Sequence, residues 1–100
     1  MGLECEKITA LEDVARELNH SRLRWAVTNG LGEYPDSIGR DLDVLVEGPL
    51  DLAVAHVIKV LESAGWVVLP KRQGWIWWIV AFREGSDGSL ISLQVDLFKH

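Results

Sequence analysis

Two stretches of strict alternation constrain this chain more than anything else in it. From Asp41 to Glu47, Leu42, Val44 and Val46 fall on one side of an extended backbone, with Asp41, Asp43 and Leu45 on the other. From Leu90 to Phe98 the pattern recurs, with Ile91, Leu93, Val95 and Leu97 on one face and Ser92, Gln94 and Asp96 on the other. A period of two describes a strand with one apolar face. Two such strands need a sheet that is covered on one side and open on the other. One hundred residues permit a single domain, read here over 1–100 of a chain that is either whole or a fragment of a longer one.

The remaining elements follow from periodicity and punctuation. Ile8, Leu11, Val14, Ala15 and Leu18 share a helical face, with Thr9 and Glu12 as a capping-box pair or a start as early as Glu6, and Asn19 as a stop. Cys5 then precedes this helix. Leu23 to Thr28 reads as a strand. Asn29 to Arg40 contains Gly30, Gly32, Pro35 and Gly39 and reads as a long loop, a feature that tends to be functional in a compact domain. Pro49 suits the first turn of a second helix running to about Ala64, with Leu52, Ala55, Val57, Ile58 and Leu61 as its apolar face and Gly65 as its stop. Strands are expected from Trp66 to Leu69 and from Trp75 to Arg83, and Gly85-Ser86-Asp87-Gly88 marks a hairpin into the last strand. The expected fold is α+β in the order αββαβββ: a mixed, largely antiparallel sheet of about five strands with helices on one side.

Composition narrows the function classes. The formal net charge is -5 and the ten Lys and Arg residues are scattered, which argues against a nucleic-acid partner. One cysteine closes no internal disulfide, and this points to a reducing, cytoplasmic setting. The first seven residues lack the apolar core of a secretory signal, and no apolar run reaches the ~18 residues of a membrane span.

The carboxylates are the chemistry-bearing residues. Asp41 and Asp43, two apart on one strand, emerge on the same face about 7 Å apart along the chain. Asp96 lies on the polar face of the last strand. If that strand lies beside the first acidic one, all three acids meet, and their mutual repulsion calls for a hard cation with oxygen ligands. Aspartate suits strand interiors poorly, so two in one short strand need a reason.

Gly30-Leu31, then nine residues, then Asp41-Leu42-Asp43-Val44, and later Val95-Asp96-Leu97, resemble the signature of the nucleotidyltransferase superfamily related to DNA polymerase beta. The run Ile38-Gly39-Arg40-Asp41-Leu42-Asp43-Val44-Leu45-Val46 carries most of the likeness, and its form is most similar to the small domains of bacterial polysaccharide-synthesis proteins. The resemblance implies transfer of a nucleoside monophosphate from a nucleoside triphosphate to an acceptor hydroxyl, with Mg²⁺ or Mn²⁺. It implies that Asp41 and Asp43 ligate metal, that Asp96 completes the site and activates the acceptor, and that Gly30 admits the triphosphate to the backbone. Leu31 stands where the family usually has a small residue, often serine. Ser37 or the amide of Gly32 is then the substitute phosphate donor, with Arg40 as the best placed cation ahead of Lys71 and Arg72. The rival reading is a non-catalytic relative that keeps the acidic strand as a binding or assembly module.

Five tryptophans are many for this length. Trp75 and Trp77, sharing a face with Ile79, are expected in a packed strand, or at a homodimer contact if no helix covers them. His20, His56 and His100 have no metal-ligand spacing and read as surface residues.

Overall fold

A computed structural model of the chain describes residues 2–32, 34 and 41–99. Its elements run α1 (Gly2–His20), β1 (Arg24–Asn29), β2 (Asp41–Glu47), α2 (Leu50–Ser63), β3 (Val67–Gln73), β4 (Ile76–Glu84) and β5 (Leu90–Lys99). The five strands form one sheet in the order β1-β2-β5-β4-β3. Among the described strands, β2 and β5 pair in parallel and the other neighbours are antiparallel. The fold is therefore α+β, a mixed sheet with both helices on one face.

The alternating strands dictate this layering. Leu42, Val44 and Val46 of β2, Ile79 and Ala81 of β4, and Ile91, Leu93, Val95 and Leu97 of β5 are buried on the helix side. Against them pack Leu11, Val14 and Leu18 of α1 and Ala53, Val54, Val57 and Leu61 of α2. The helices also meet each other, and Nδ1 of His56 lies 2.7 Å from Oε2 of Glu17 between them. His56 is thus half-buried and bonded, not the free surface residue its spacing suggested.

Several expectations shift. The first helix starts at Gly2, so Thr9 is interior, no cap, and Cys5 lies within the helix. Pro49 occupies the N-cap and not the first turn. The buried stripe of α2 is rotated by about one residue: Leu52 is 45 % exposed and Ala55 is exposed, while Ala53 and Val54 are buried. Trp66 precedes β3 and is buried. Pro70 lies inside β3, which is tolerated because β3 is an edge strand. Trp75 lies in the β3–β4 turn at 72 % exposure, so it does not share a strand face with Trp77 and Ile79. The face bearing Trp77 and Ile79 is the helix-covered one. No described helix is long and apolar enough to cross a membrane.

Candidate active site

The sheet order brings the acids together. β2 and β5 are central and parallel, and their register sets Asp43 directly beside Asp96, with Asp41 beside Gln94. All four side chains point to the open face, because their neighbours in sequence fill the core. Adjacent strands are about 4.8 Å apart, so Asp43 and Asp96 are lateral neighbours and Asp41 stands one pleat along.

The electrostatics reflect that crowding. Burial pushes the Asp96 carboxyl above the usual aspartate range, and the negative charges of Asp43 and Asp41 push it further. Nε2 of Gln94 donates to Oδ1 of Asp96 at 2.8 Å and opposes the shift. Gln94 received no role from the sequence, although its place two residues before Asp96 on an alternating strand puts both on one face.

Among the described residues, no three His, Cys, Asp or Glu side chains form a ready-made metal cage. The donor set still fits Mg²⁺ or Mn²⁺. Such ions are typically held by one or two carboxylates and complete their octahedron with water and substrate phosphate oxygens. Asp41, Asp43 and Asp96 are the residues that would hold them.

Gly30 closes the site on the β1 side. A register shift between Val27 and Asn29 lets Asn29 align with Asp43. Gly30 follows with φ +98°, and a Cβ built there would lie 1.9 Å from the carbonyl oxygen of Asp41. Its N–H donates to Oδ1 of Asn29 at 2.9 Å. The glycine is thus required by the approach of β1 to the backbone that carries the acids. Gly32 lies two residues on, with φ +58°. Ser37 and Arg40 lie outside the described residues.

An apolar cavity of about 170 Å³ between α1 and β1, reaching Trp25, Leu31 and Tyr34, lies on the helix side of the sheet, away from the carboxylates. On the acidic side a cleft of about 300 Å³ is lined by Asp41, Lys7, Val80, Phe82, Ser92 and Gln94.

No family profile and no curated protein matches the chain. Solved structures do. An antigenic nucleotidyltransferase-like protein from Paracoccidioides brasiliensis superposes with a TM-score of 0.60 at 14% identity, over 99% of this chain and 49% of its own. Cid1 poly(U) polymerase, solved with MgGTP bound, superposes with a TM-score of 0.57 at 19% identity, over 95% of this chain and 31% of its own. The fold is nucleotidyltransferase-like. The chain spans about half or less of the length of these structures.

Proposed function

We propose that this domain is a nucleotidyltransferase of the superfamily its acidic strand resembles, moving a nucleoside monophosphate from a nucleoside triphosphate to an acceptor hydroxyl. The observation that carries this reading is the in-register pairing of Asp43 with Asp96 on adjacent parallel strands, with Asp41 on the same open face. Three carboxylates on one face cost stability through repulsion and desolvation, a cost expected where a cation is to be held. Both solved neighbours carry a nucleotidyltransferase-like or polymerase fold, and one was captured with MgGTP.

In this reading the triphosphate lies on the β1 side, beside the Gly30 backbone. Gly32, Ser37 and Arg40 are its further contacts. Bound to Asp41, Asp43 and Asp96, Mg²⁺ or Mn²⁺ would neutralise the acids and offset charge on the phosphates. The acceptor oxygen attacks the α-phosphorus and its proton passes to Asp96. The bond from the α-phosphorus to the bridging oxygen breaks, and pyrophosphate leaves with that electron pair.

Calorimetric titration of each nucleoside triphosphate, with and without Mg²⁺, into wild type and Asp43→Asn tests this. Metal-dependent binding that falls at least tenfold in the variant is expected. Equal affinity in the two proteins overturns the reading. Absence of binding to any triphosphate turns it to the non-catalytic module.

A further inference from the structure

The cross-strand register continues the acidic row in a direction that the transfer reading leaves unused. Asp43 pairs with Asp96, Asp96 with Trp78, and Trp78 with Lys71. One straight row across β2, β5, β4 and β3 therefore runs acid, acid, aromatic, cation. All four side chains are on the open face, since Ile79 and Val95 beside them point into the core. Nζ of Lys71 sits 5.7 Å from the centroid of the Trp78 ring. Apart from Lys7 of α1, which reaches the cleft at Val80 and Phe82, the described helices pack on the other face, and Ile76, Val80 and Phe82 flank Trp78 along this one as an apolar floor.

We propose that Trp78 and Lys71 form the acceptor subsite, a platform for a small molecule that joins a planar ring, an anionic group and the hydroxyl to be modified. This rests on the transfer reading for its sidedness. An in-line displacement sets nucleophile and leaving group on opposite sides of the phosphorus. With the triphosphate on the Gly30 side of the acids, the acceptor enters from the β4 side, across Asp96. Strand spacing places Trp78 about 5 Å and Lys71 about 10 Å from Asp96, the span of one ring and its substituent.

The need for both ring and anion follows from the observed contact. Lys71 already lies over the indole, so a neutral ring would displace the ammonium with nothing in return. An anionic ligand replaces that contact with an ion pair while its ring takes the indole face. A long polyanion is a poor match for a chain of net charge -5 with one cation in this row.

AMP serves as the probe, without metal or triphosphate, and the indole N–H resonances of the ¹⁵N-labelled chain report binding. Trp78→Phe identifies the Trp78 resonance by its loss and retains a ring. AMP should shift that resonance, and Trp78→Ala should weaken binding about tenfold, the scale of one base-on-aromatic stack. Trp78→Phe should weaken it less. Lys71→Ala should weaken it severalfold, by the same factor that separates AMP from adenosine in wild type. Asp43→Asn should leave AMP binding undiminished, so equal triphosphate affinity in wild type and Asp43→Asn overturns the transfer reading and not this subsite. An unmoved Trp78 resonance overturns the proposal, as does adenosine binding as tightly as AMP. A Trp78 shift that tracks protein concentration without ligand also overturns it, by assigning the face to a second copy of the chain.

Discussion

Gly30 shows how closely the backbone is drawn around the acids. The left-handed conformation alone costs a non-glycine residue about 1–2 kcal/mol. A Cβ only 1.9 Å from the Asp41 carbonyl oxygen must also move backbone, since neither partner in the clash is a flexible side chain. Gly30→Ala should therefore lower the urea midpoint by more than the conformational term alone, at least about 2 kcal/mol when multiplied by the m-value. Asp96 works in the opposite sense. Its folded pKa is raised, so the fold binds its proton more tightly than the unfolded chain does, and stability falls as pH rises through the interval between the two values. In metal-free protein, Asp96→Asn should raise the urea midpoint at pH 7, and the gain should shrink as pH falls from the raised folded value towards the ordinary aspartate value. A variant no more stable than wild type at pH 7 would show that the carboxylate crowding is relieved.

Among the elements, α1 is held at its start by a contact with the far end of the chain. Oε1 of Glu6 accepts from Nη2 of Arg83 at 2.8 Å, and Oε2 accepts from the amide and hydroxyl of Ser86 at 3.1 and 3.0 Å. Arg83 also donates to the carbonyl of Ala64 and stacks its guanidinium on Trp66, 4.7 Å from the ring centroid. One carboxylate thus joins α1, the end of α2 and the β4–β5 hairpin. The Ser86 amide, then its hydroxyl and Arg83, hold the Glu6 carboxyl below the usual glutamate range. A lowered folded pKa contributes stability above the unfolded value, and that contribution is lost as pH falls through the folded one. Glu6→Gln should accordingly lower the thermal midpoint at pH 7, with the difference closing in acid. A pH-independent difference would assign the loss to packing alone. This clamp also explains why the helix start was illegible: Glu6 and Ser86 are eighty residues apart, and Gly2 to Lys7 has no apolar periodicity of its own.

Across the whole molecule, one sheet separates two surfaces with different tasks. The helix side is the core. The open side carries the acids, and beside them Ile76, Trp78, Val80 and Phe82, with Val67 and Leu69 at 63 % and 55 % exposure on the edge strand. The rotation of α2 against that sheet is measurable. Leu61, 1 % exposed, should cost about 2–5 kcal/mol as Leu61→Ala, whereas Leu52→Ala should fall within about 0.5–1 kcal/mol of wild type. Equal losses would place both leucines in the core. Within one chain, a period of two settles which residues of β2 and β5 face together, because side chains alternate by covalent geometry, and the acid set and sheet class were legible for that reason. Helical periodicity fixed α2 only to within a residue, since Leu52, Ala53, Val54 and Ala55 offer apolar surface on neighbouring faces and the sheet decides which is buried. Strand order and register are different in kind. The parallel pairing of β2 with β5, the row from Asp43 through Asp96 and Trp78 to Lys71, and the face that Trp77 and Trp78 each occupy arise from contacts between segments far apart in the chain. The sequence by itself determined which side chains could face together on each strand; the tertiary structure decided which strands became neighbours, because that depends on how both helices and all five strands share one core.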